Sequence, residues 1–217
     1  HEDLPDGPRD AVQHPGLPQG QHGHAGPRVA GDAVRVRGGV HDAAGLAFSR
    51  VIDTKVVEKG YFYDSTSQQL RSVENVEMPV FCCDGVLRVM APPGDHIDLL
   101  VLQDIVIEIR QHIPIIWATV DWLQSESTIQ TWRNHGIISG SQSVDKRPGA
   151  YFVLRHAIRD GRYLCPPHEV SDRETRQLKR ETNRGEIRID HGPGGSKDCV
   201  DAVCGSIATC NRFFGRF

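Results

Sequence analysis

The sequence has no long apolar run, no strong charge of either sign and no paired-cysteine motif. No stretch approaches the ~20 consecutive apolar residues of a membrane-spanning helix, and no signal peptide opens the chain. The 25 Lys and Arg against 28 Asp and Glu leave a net charge of −3, so any nucleic acid has to be held by a local patch and not by global charge. The six cysteines (Cys82, Cys83, Cys165, Cys199, Cys204 and Cys210) show neither C-x-x-C nor zinc-finger spacing, and read as reduced, half-buried thiols of an intracellular protein. Also missing are G-x-S-x-G, H-E-x-x-H, G-x-G-x-x-G and G-x-x-x-x-G-K-[ST], so no ATP site of the P-loop kind is expected.

What is present divides at about Asp42. Residues 1–41 are rich in Gly, Pro, His and Arg and poor in aromatic and long aliphatic side chains. Such a segment cannot offset its chain entropy by burial, so disorder is expected, and His22 and His24 read as low-complexity sequence, not metal ligands. So abrupt a change of composition is also what a junction or an out-of-frame reading of a gene produces. The chain begins at His1, not Met, which predicts a piece of a longer protein. Residues 42–217 are long enough for one core.

Within that core the hydrophobic period changes along the chain. Ala44–Ile52 and Val80–Met90 read as strands, with a hairpin extension around Tyr61–Tyr63 between them. Leu99, Leu102, Ile105, Val106, Ile109 and Ile113 recur at helical spacing over 98–112, and Pro114 ends that helix. Ile115–Val120 suits a strand buried on both faces. Helices are predicted over 125–135, with Gly136 as C-cap, and over 150–159, with a strand between them from Ile137. A helix over 170–184 puts Arg173, Arg176, Arg180 and Arg184 in one stripe, either a solvated face or a phosphate contact. A short strand from Glu186 leads to a Gly/Pro loop, and a last helix starts near Lys197 with Ser196 as its cap.

This is an α/β order, antiparallel strands first and parallel crossovers later. Asp121 closes the apolar strand, where open α/β sheets place their chemistry. Asp198 and Asp201 fall in the first turn of the last helix, three residues apart on one face. Carboxylates that converge from a strand tip and a late helix bind divalent cations through hard oxygens. Two such ions activate a water and stabilise the leaving oxygen of a phosphodiester.

Asp121-Trp122-Leu123-Gln124-Ser125, Ser143-Val144-Asp145, Asp190-His191 and Gly194-Gly195-Ser196-Lys197-Asp198-Cys199-Val200-Asp201-Ala202 together resemble the C-terminal nuclease domain of tailed-phage terminase large subunits. The Ala91–Asp98 turn and Ala157–Arg162 extend that resemblance, which runs from about Asp42 to Phe214. It implies a ribonuclease H-like mixed sheet flanked by helices, and an endonuclease that cuts concatemeric double-stranded DNA with two Mg²⁺ or Mn²⁺ ions. By the same resemblance Asp121 and Asp198 are the catalytic acids and metal ligands, and Asp201 is a further ligand. The family also uses an acid on its first strand. Here that strand falls near Val36, where no Asp stands, leaving Asp42 and Asp32 as substitutes. Gly192 replaces a proline of the family loop. Expected DNA contacts are Arg173, Arg176, Arg180, Arg184 and Lys197. Implied partners are a portal, a small terminase subunit and an ATPase domain outside this chain, in the cytoplasm of a bacterial host and with no membrane. The alternatives are an inactive remnant that keeps the fold and binds DNA or portal, or another ribonuclease H-like nuclease or transposase.

Overall fold

The computed structural model describes residues 32–38, 43–64, 69–93, 95–121, 125–144, 148–183 and 186–214. Its main sheet has six strands: β1 (Asp32–Gly38), β2 (Ala43–Asp64), β3 (Gln69–Met90), β4 (Ile115–Val120), β5 (Ile138–Ser141) and β6 (Tyr163–Leu164). They lie in the order β5-β4-β1-β2-β3-β6. The meander β1-β2-β3 is antiparallel, whereas β4 beside β1, β5 beside β4 and β6 beside β3 are parallel. β2 and β3 stay paired as far as Asp64 opposite Gln69, so the expected hairpin extension is a long two-stranded arm.

Alternation along β2 builds a core on each side of the sheet. Ala44, Leu46 and Phe48 face α1 (Leu99–Arg110) and α2 (Ser125–Asn134), packing with Leu102, Val106 and Trp132. Ala47 and Val51 turn the other way and pack with Leu154 of α3 (Gly149–Arg159) and with Val200, Val203 and Ile207 of α5 (Asp198–Phe213). Each large side chain so buried contributes roughly 1.5–3 kcal/mol. A buried hydroxyl pair there is satisfied, with Ser49 Oγ 2.7 Å from Ser206 Oγ. Helix ends follow local chemistry: the Asp98 carboxylate accepts the Leu100 N–H at 2.8 Å to start α1, and Gly136 and Gly161 take positive φ after α2 and α3.

The first strand that the resemblance places near Val36 is β1, inside the stretch set apart as residues 1–41 and an inner strand between β2 and β4. Composition averaged over that stretch hides the short alternation Ala33-Val34-Arg35-Val36-Arg37, which has pairing partners on both edges. The disorder expected before Asp32 lies outside the described residues.

The helix over 170–184 stops halfway. α4 spans Glu169–Gln177, and β7 (Leu178–Asn183) then pairs antiparallel with β8 (Glu186–His191). Glu, Gln, Lys and Arg carry good helix propensity, but Leu178 and Ile189 gain burial against the α3/α5 core only as a hairpin.

Candidate active site

Everything at the site depends on how α5 begins. The loop before it turns at Gly192, whose carbonyl accepts the Gly195 N–H at 3.0 Å, with Gly194 at φ 71°. Lys197 is the residue before the helix and makes no side-chain cap. Ser196, expected to cap, does not. Its Oγ lies 2.9 Å from both Glu174 Oε1 and Asp198 Oδ2, and its single proton serves one of them at a time. The cap comes from α4, where Glu174 Oε2 accepts the Val200 N–H at 2.9 Å. A carboxylate meets the positive end of the helix dipole better than a hydroxyl does, and Glu174 is only 2% exposed there.

Asp198 is half-buried, and its backbone carbonyl rests directly on β2. A Cβ added at Gly45 would stand 2.2 Å from that oxygen, so only glycine permits this approach. Gly45 pairs with Arg37 of β1, and Val36 pairs with Val120 of β4, the residue before Asp121. Asp121 and the head of α5 therefore reach the same edge of the sheet, on either side of β1, two strand spacings or roughly 10 Å apart. Asp32 is at the far end of β1, opposite Ile115. Asp42 lies outside the described residues, and its neighbour Ala43 begins β2 at the Asp121 edge.

Asp198 lines a cleft of about 920 Å³ together with Arg88, Asp95 and His96. Arg88 Nε is buried and makes no hydrogen bond among the described residues. Asp201, one turn into α5, is fully buried and does not line the cleft. The Tyr151 hydroxyl of α3 donates to its Oδ1, and Lys197 Nζ lies 3.9 Å from its Oδ2. The Lys197 ammonium also donates to the Ile189 carbonyl at 3.2 Å and is 4.0 Å from Asp190, so the lysine expected on DNA is turned inward. Burial pushes Asp190 up, but the His191 N–H, Lys197 and Arg188 outweigh it and hold its carboxyl below the usual range. Cys199, under the same helix turn, is pushed up to about 12 by burial and by Glu174.

Arg173 and Arg176 are exposed on α4. Arg180 is exposed on β7, and Arg184 lies outside the described residues, so the four do not form one helical stripe. Among the described residues, no group of three or more His, Cys, Asp or Glu side chains gathers closely enough to hold a metal ion. The residues missed from the sequence are Glu174, Tyr151, Arg88 and Gly45. Glu174 and Tyr151 act across long sequence separations, and no local pattern marks them.

No protein-family model and no curated protein matches the chain. Solved structures do. The magnesium-bound large terminase nuclease of thermophilic phage G20c superposes with a TM-score of 0.55 at 10% identity, over 84% of this chain and 82% of that one. The fold is that of the large-terminase nuclease domain. The Thermus phage P74-26 large terminase nuclease domain gives a TM-score of 0.52 at 9% identity over 81% of this chain and 77% of its own. The HK97 bacteriophage large terminase gives 0.53 at 10% identity, over 82% of this chain and 39% of that longer protein. The ribonuclease H-like mixed sheet and the terminase resemblance read from the sequence are both borne out at the level of fold. Among the described residues no helix is long and apolar enough to cross a membrane.

Proposed function

We propose that the chain is a terminase-type DNA endonuclease domain, in which Asp121 and Asp198 hold a divalent cation and cut double-stranded DNA at the end of the sheet that β4 and α5 share. The observation that carries this reading is that the β4 tip and the α5 head lie level with each other at one end of the sheet, on either side of β1. The related G20c nuclease has been seen with bound magnesium and with bound cobalt, which supports Mg²⁺ or Mn²⁺ here. The described residues fit such a centre only in part: they offer a pair of carboxylates, not a closed set, and Asp42 is the candidate third. Bound there, a divalent ion would supply charge for a developing phosphate oxyanion.

The chain's own contribution is positional. Glu174 fixes the first turn of α5, Gly45 seats it on β2, and Ser196 orients the Asp198 carboxylate toward the cleft side. Concatemeric viral DNA as substrate, a portal, a small subunit and an ATPase domain as partners, and the bacterial cytoplasm as the setting all follow from this reading.

One observation favours a second reading, a remnant that keeps the fold and binds DNA without cutting. From Ala33 to Gly38, β1 carries two arginines and no carboxylate. Supercoiled plasmid incubated with Mn²⁺ or Mg²⁺ decides between the two. The first reading expects nicked and linear products that fall at least about a hundredfold in Asp121→Asn and Asp198→Asn. Cleavage surviving both substitutions sinks the assignment of these acids, and a folded protein that binds plasmid but never cuts it establishes the remnant.

A further inference from the structure

The cysteines are not scattered evenly through the core. In the parallel pair of β3 and β6, Phe81 stands opposite Tyr163 and Cys82 opposite Leu164. Carried one residue beyond the end of β6, that register brings Cys165 beside Cys83. Neighbouring strands run about 4.8 Å apart, inside the roughly 4.4–6.8 Å Cα separation that a disulfide spans. Both residues also point the same way. Phe81 and Cys83 are fully buried in the α3/α5 core, and Tyr163 and Cys165 pack against that same cluster. Cys82 is turned to the other face, where its thiol donates to the Asp84 carboxylate at 3.3 Å.

We propose that Cys83 and Cys165 form a modification site, a thiol pair that closes to an intrachain disulfide on reaction with a small-molecule disulfide of the oxidised-glutathione class.

The two sulfurs have different roles. Cys165 is partly exposed, just past the end of β6, and meets the reagent first. The Cys83 thiol proton is shared between the Gly85 carbonyl at 3.6 Å and the Cys165 sulfur; burial opposes the thiolate, and the Tyr163 hydroxyl adds a second favourable hydrogen bond, bringing Cys165 down to about 6. Cys83 is shifted the other way, by that same hydrogen bond first and by burial second, so it stays a thiol until called on.

The Cys165 thiolate attacks one sulfur of oxidised glutathione. A Cys165–glutathione bond forms, and the glutathione S–S bond breaks to release one glutathione thiolate. Cys83 then passes its proton to the departing sulfur as it attacks Cys165, forming Cys83–Cys165 and releasing the second glutathione. Two electrons leave the protein pair for the reagent, and the two cysteine protons end on the two glutathione thiols. The link fastens the segment that enters α4, the helix carrying Glu174, to β3.

The test uses the full reduced chain with oxidised glutathione at neutral pH, followed by alkylation and peptide mass spectrometry without reduction. A Cys83–Cys165 cross-linked peptide is expected. In Cys83→Ser the reaction stops at a glutathione adduct on Cys165, and Cys165→Ser yields neither product. Iodoacetamide labelling of unmodified protein, which needs no variant to fold, should show Cys165 reacting at least about tenfold faster than Cys82 at neutral pH, because the thiolate is the nucleophile. Its rate should rise through a midpoint near 6. A cross-link to any other cysteine, or a Cys165 that labels no faster than Cys82, overturns the proposal.

Discussion

Glu174 is the residue on which the site's geometry turns. It reaches α5 from a separate helix, accepts the Val200 N–H, and faces the Ser196 hydroxyl that Asp198 also meets. Replacing it with Ala leaves a buried N–H without an acceptor and removes a carboxylate from the helix dipole. The expected cost is about 1–3 kcal/mol in urea unfolding. Glu174→Gln keeps the shape and an amide oxygen, so it should recover about half of that loss. Equal losses in Ala and Gln would mean that charge, not the hydrogen bond, holds the turn. None of this can be read in the sequence. Glu174 stands among Arg173 and Arg176 like any solvated helical acid, and its partner is 26 residues away. The positions of Asp198 and Asp121 in the fold are legible because one opens and the other follows an element whose period is plain.

At the scale of elements, the sequence is clearest where a segment's own pattern decides its state. β4 runs from Ile115 to Val120 as its apolar run and the flanking Pro114 and Asp121 require, and α1 starts at its Asp98 cap. It is least clear where a partner decides. Residues 178–183 are helix formers by composition, yet β8 makes them a strand. The arginine stripe therefore divides between α4 and β7, and its parts should behave independently. If both touch DNA phosphates, Arg176→Ala and Arg180→Ala each lower the slope of log affinity against log salt by about 0.9, and together by about twice that. Filter binding across a salt series measures this. Slopes unchanged in both variants would leave the arginines as a solvated face.

For the whole molecule, the decisive element is β1. It joins β4 and β5 to β2, β3 and β6, and without it the sheet is two separate pieces. Chains started at Asp32 and at Asp42 differ by this one strand. The first should melt in a single cooperative transition, followed by circular dichroism. The second should lose that transition or aggregate, since Ala118 and Leu46 would no longer be held in one sheet. Matching melts would show that β1 contributes nothing to the core. Composition is a blunt guide here because it averages a strand of seven residues into the polar sequence before it.

The position of β1 also sets an order of events during synthesis. The ribosome delivers β1, β2 and β3 before β4, so the meander can pair while one edge of β1 still awaits its parallel neighbour. An unpaired strand edge recruits other strands until its partner covers it. Until Val120 has emerged to pair with Val36, the nascent chain carries an open template, and crowding among unfinished copies is then the danger. The sequence of β1 carries Arg35 and Arg37, and like charge is what keeps one exposed edge from pairing with another.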